Sequence, residues 1–189
     1  MRQLIEQMIN DSIAVKQLVL QQQLDTIQRI ARMAIDCLQG QGKILLCGNG
    51  GSAADAQHIA AELVGKFLKL RDALPAVALT TNTSILTAIA NDISYDAVFA
   101  RQVQALCGER DLLLGISTSG NSPNVLEAVR AARERGAKTV GLTGGSGGEL
   151  ARLADVTLVV PSDSTPRIQE SHIMVGHIVC DLIEREIFG

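Results

Sequence analysis

A chain of 189 residues with 47% hydrophobic content suits one domain with a sizeable core. Its net charge of −3 and aromatic content of 2% argue against a general nucleic-acid surface, which needs basic groups and stacking platforms. The mean hydropathy of +0.20 is high, yet no apolar run is long enough to span a bilayer, so buried contacts between subunits account for it better than a membrane. The opening MRQLIEQMINDSIAV is amphipathic and lacks a basic secretory n-region, which makes the cytoplasm the expected compartment. Cys37, Cys47, Cys107 and Cys180 are widely spaced with no CxxC pair and read as reduced core thiols.

Residues 3–39 carry two helical patterns. Leu4, Ile5, Met8, Ile9 and Ile13 mark the first, and Leu24, Ile27, Ile30, Met33, Ala34 and Leu38 mark the second, before Gly40 ends it. Short apolar strands then alternate with helical patterns: 43–47, 76–79, 111–116, 138–142 and 155–160. Near-continuous apolar strands separated by helices predict a five-stranded parallel sheet covered on both faces. No repeat or linker interrupts the chain, so residues 1–189 form one doubly wound α/β domain, and residues 1–40 are an N-terminal helical extension.

In such sheets ligands bind beyond the carboxyl ends of the strands. The first strand runs into Gly48-Asn49-Gly50-Gly51-Ser52, which taken alone reads as a tight turn with a serine N-cap. The third runs into Ser117-Thr118-Ser119-Gly120-Asn121-Ser122 and then Pro123, a favoured first helical residue. Hydroxyl and amide side chains with free N–H groups at a helix start make a phosphate cradle there. The glycine-rich stretch 143–148 reads only as a flexible turn.

The three histidines carry the sharper signal. His58 and Glu62 are four apart and share one helix face, opposite an apolar stripe of Ala56, Ile59, Ala60, Leu63 and Phe67. The small residues Ala54, Ala61 and Gly65 around the pair suit close approach of another backbone, so it is expected at or near a subunit contact. Near the C-terminus, Ile168, Val175, Val179, Leu182 and Ile183 define a stripe that includes His172, which reads as a core histidine. His177 falls on the other side with Ile173 and Cys180, and Gln169 precedes it by eight residues, roughly 12 Å along a helix. The two meet at one centre only by leaning together or by coming from different chains. Imidazole and carboxylate groups of this kind bind a metal or move a proton.

The run GNGGSAADAQH, then AND, GISTSGNS, an LTG turn and RIQESH resembles the phosphoheptose isomerases of the SIS (sugar isomerase) domain family over nearly the whole chain. The resemblance implies an SIS fold and a cytoplasmic homotetramer with zinc in its active sites. It further implies interconversion of sedoheptulose 7-phosphate and D-glycero-D-manno-heptose 7-phosphate, an entry to heptose for surface polysaccharide such as lipopolysaccharide. The family's metal ligands fall on His58, Glu62, Gln169 and His177. Its sugar-phosphate contacts fall on Asn49, Gly50, Gly51, Ser52, Glu62, Asn91, Asp92, Ser117, Thr118, Ser119, Ser122 and Gln169. Passing a proton from C1 to C2 through an enediol requires a base and an acid, for which Glu62 and His177 are the expected catalytic pair, in either order. A non-catalytic adaptor resembling the DnaA initiator-associating protein shares these motifs, but in it the positions matching Glu62 and His177 are not acidic and not histidine.

Overall fold

The computed structural model describes residues 1–189. Two helices come first, α1 (Arg2–Gln22) and α2 (Leu24–Gln39), then β1 (Ile44–Gly48), α3 (Gly51–Val64), β2 (Ala76–Ala78) and α4 (Thr83–Asp92). A 3-10 turn at Tyr95–Ala97 leads into α5 (Ala100–Leu106), β3 (Leu112–Ile116) and α6 (Pro123–Glu134). The chain closes with β4 (Lys138–Gly144), α7 (Leu150–Leu153), β5 (Val156–Val160) and the 24-residue α8 (Thr165–Phe188). Each expected strand is present, with ends displaced by one or two residues. No helix is long and apolar enough to cross a membrane.

All neighbouring strands pair in parallel, in the order β2-β1-β3-β4-β5. Side chains leave a strand alternately to the two faces, and every β1 residue is buried. Ile44 and Leu46 join the core under α2, α3 and α8, while Leu45 and Cys47 join the core under α5 and α6. The strand order reverses direction between β1 and β3, so the crevice beyond their carboxyl ends is the topological switch point at which doubly wound sheets bind ligands.

Two expectations of the helix wheels are corrected. Leu182 is more than a third exposed, whereas Cys180 is buried in the core, because α8 packs simultaneously on α1, α2, α3 and the sheet and its buried arc is set by all of them. The helix of His58 ends at Val64, so Phe67 belongs to the loop that follows and not to the stripe. His172 is fully buried as expected, bonded through Nε2 to the Thr143 carbonyl at 3.1 Å. Burial pushes its pKa down to about 4.

Candidate functional site: a histidine–glutamate cluster beside a serine loop

The site begins where α3 and α8 touch. A Cβ on Gly176 would lie 2.7 Å from Cδ1 and 2.9 Å from Cγ1 of Ile59, so any side chain there would force Ile59 or the helices to shift. This close spacing lets His177, one residue on, meet His58 and Glu62. Nε2 of His58 lies 3.0 Å from Oε1 of Glu62 and 3.2 Å from Nε2 of His177. One ligand atom from each of the three lies within 4.8 Å of the others. The His58 nitrogen carries either one hydrogen or one lone pair, so a single proton would have to serve two acceptors. Three lone pairs around one cation satisfy all three groups, and the N/O donor set suits zinc. Phe67 walls the cluster, its ring stacked on His177 at 5.4 Å between centroids.

Gln169 belongs to the same chain but lies against Gly51, where a Cβ would meet its Nε2 at 2.7 Å. That is the first turn of α3, seven residues before His58, or about two turns. The amide therefore adjoins the glycine loop, and the His–Glu–His trio is assembled without it.

At the switch point Asn49 and Asn124 exchange amide hydrogen bonds of 2.8 and 2.9 Å, and the Tyr95 hydroxyl donates to Asn49 at 3.2 Å. These bonds tie the exit of β1 to the start of α6. Gly50, at φ 56, is the N-cap of α3, so the expected serine cap does not form. Ser52 is instead buried, with its backbone and Cβ close against Gly48.

In the serine loop Ser117 Oγ pairs with Ser122 Oγ at 2.9 Å, and Ser119 Oγ accepts from the Asn121 amide at 3.2 Å. The N–H groups of Thr118 and Ser119 make no bond within the chain, as an anion cradle requires. Thr118 and Ser119 open onto a cavity of about 220 Å³ shared with Gly145, Ser146, Asp163 and Thr165. No lysine or arginine lines it. The first turn of α8 contributes its partial positive charge, and Asp163 opposes it.

The stretch 143–148 is not the flexible turn expected. Gly120 and Gly148, at φ 68 and 58, lie so close to Gly147 and to Ser119 that a Cβ at either would overlap backbone. The Leu150 amide donates to Gly120 at 2.9 Å and the Glu149 amide to Asn121 at 3.0 Å. Glycines here permit two loops to interlock, which no single-loop pattern reveals. Asn91 and Asp92 sit exposed at the end of α4, bonded to each other at 2.7 Å. Asp92 borders an open hollow of about 430 Å³ with Ile85, Ile89, Ile93 and Arg101, and neither the trio nor the serine loop lines that hollow.

Comparison with known proteins decides the family. The SIS domain model matches residues 7–144. The chain is 52% identical over its whole length to the phosphoheptose isomerase of Sulfurimonas denitrificans, covering 98% of that relative. It is 59% identical to that of Geobacter sulfurreducens over 86% of each chain. The chain belongs to the SIS-domain phosphoheptose isomerase family. Its fold is similar to the solved phosphoheptose isomerase of Neisseria gonorrhoeae, with TM-score 0.93, 48% identity, and coverage of 97% of this chain and 98% of that one. Sequence reading missed Asn124, Tyr95 and the contact of Phe67 with His177. Only Asn124 left a signal, as an amide one place after the helix-starting proline beside the serine loop.

Proposed function

We propose that the chain is an aldose–ketose isomerase that interconverts sedoheptulose 7-phosphate and D-glycero-D-manno-heptose 7-phosphate, the first step toward heptose for surface polysaccharide. The observation that carries this is the convergence of His58, Glu62 and His177 on one point in a chain half-identical, end to end, to phosphoheptose isomerases. An adaptor role has no use for such a cluster, and the relatives named above are isomerases.

His58, Glu62 and His177 would hold one zinc ion per active site, with Gln169 joining them by moving off Gly51. Bound there, zinc supplies a Lewis acid for the substrate oxygens. Glu62 faces His58 through Oε1, which leaves its second oxygen to take the proton from C1, and His177 would return a proton at C2 only while its Nε2 is protonated and not holding the ion. The phosphate is held by N–H and hydroxyl groups of Ser117, Thr118, Ser119 and Ser122. Asn49, Gly50 and Gly51 orient the sugar chain, and Asn91 and Asp92 complete the binding set.

We further place the enzyme in the cytoplasm as a homotetramer. Its first helix supports assembly: Leu4, Ile5, Met8, Ile9 and Ile13 form one stripe, each about half exposed or more, and contiguous apolar surface of that kind marks a contact. Purified protein should convert sedoheptulose 7-phosphate, lose that activity with a chelator and regain it with zinc. No conversion by zinc-replete protein refutes the assignment.

A further inference from the structure

Behind the trio lies a buried ion pair that the isomerisation itself does not use. Glu184 is 1% and Arg71 2% exposed at the side chain. The Glu184 carboxylate accepts from the amides of Phe67, Leu68 and Lys69 at 2.8, 2.9 and 3.0 Å, and from Arg71 Nε at 3.0 Å. Arg71 directs three further donors to carbonyls, reaching Glu62 at 2.8 Å, Leu63 at 2.7 Å and Asp72 at 2.9 Å. Carbonyls at the last turn of a helix lack intrahelical partners, and a guanidinium there also complements the negative helix end. The pair thus bridges α8, about two turns beyond His177, to the end of α3 that carries Glu62.

The loop between them is anchored at its far end by Leu74, whose side chain is buried and whose amide donates to the Leu63 carbonyl at 3.1 Å. Leu68 and Leu70 are exposed, and no strand or helix covers residues 65–75. Three amide bonds to one carboxylate give the loop its form, and the first fixes Phe67, whose ring stacks on His177. A buried ion pair is a poor device for stability alone, since an apolar pair of similar volume often does as well. Here every donor is directed to a segment that touches a member of the trio.

We propose that Arg71 and Glu184 are positioning residues for the zinc cluster, Arg71 holding the backbone of Glu62 and Glu184 holding Phe67 as the wall that orients His177. This rests on the zinc reading above. Partners that orient metal ligands contribute about tenfold to a hundredfold in metal affinity or activity.

The test uses apo protein and competition for zinc with a chromophoric chelator, alongside thermal unfolding, kcat and KM. Arg71→Lys keeps the charge but cannot span three carbonyls, and Phe67→Leu removes the ring while keeping the amide. Both avoid stranding the buried carboxylate, and both should fold, which thermal unfolding checks. Each should weaken zinc about tenfold or more and lower kcat, with KM little changed because neither residue bonds to the serine loop. Val129→Ala, in the core on the other face of the sheet, controls for lost stability and should leave zinc affinity unchanged. Wild-type zinc affinity in both Arg71→Lys and Phe67→Leu overturns the positioning proposal alone. Wild-type protein that binds zinc no better than His58→Gln overturns the zinc reading and the proposal together.

Discussion

Gly176→Ala tests the contact on which the cluster depends. The added Cβ would stand 2.7 Å from Ile59 Cδ1, against the roughly 3.5–4.0 Å at which carbon atoms rest, so about an ångström must be found. Overpacking of this kind costs about 1–3 kcal/mol, offset by about 0.5–1 kcal/mol because alanine suits a helix interior better than glycine. The net destabilisation is of order 1 kcal/mol, a fall in Tm of about 2–4 °C for a domain of this size. Zinc–ligand distances, by contrast, tolerate only about 0.2 Å, so parting α3 from α8 by even a fraction of that ångström weakens binding at least about tenfold. Thermal unfolding of apo protein and chelator competition should therefore separate a small loss of stability from a large loss of affinity. Adding Ile59→Val removes the closer of the two atoms and should recover part of the affinity while lowering stability further. Unchanged zinc affinity in Gly176→Ala refutes the idea that this glycine sets the geometry of the trio.

Glu62→Gln and His177→Gln should each lower kcat at least about a hundredfold in protein that still folds, as judged by circular dichroism; near wild-type turnover removes that residue from the proton transfers. Ser119→Ala and Ser122→Ala should raise KM, and weaken inhibition by inorganic phosphate, without affecting zinc binding. Acid stability should respond in two windows. His172 is held neutral at about 4 by burial, so its contribution is full above about 6.5 and is lost as pH falls from there toward 4. At Glu184 burial pushes upward, but the Phe67, Leu68 and Lys69 amides and Arg71 outweigh it and hold the carboxyl at about 2. Its contribution is present above about 4.5 and lost as pH falls toward 2. Urea unfolding across pH should lose the upper slope in His172→Asn and the lower one in Glu184→Gln. Glu184→Gln should also cost about 3–5 kcal/mol at neutral pH by stranding Arg71. A Glu184→Gln protein as stable as wild type shows that the pair is not uniquely bonded.

The alternation of apolar strands with helices, the serine loop after β3 and the His58–Glu62 pair were all legible in the amino-acid order, because each depends on periodicity or on neighbours within one turn. A parallel sheet buried on both faces needs continuous apolar strands, and β1 and β3 show them in single short runs. The same local logic misjudged Cys180 and Leu182, since a wheel assumes one buried direction and α8 is packed by α1, α2, α3 and the sheet. It also read 143–148 as loose, because interlocking with the serine loop is invisible in either segment alone. The meeting of His177 with His58, 119 residues apart, followed from no local pattern. Only the packing of α8 on α3 decided it, through the missing side chain of Gly176. Arg71 and Glu184 left no signal in the amino-acid order: burial of a charged pair is tolerated only when its donors and acceptors find partners, and those partners come from segments that folding alone brings together.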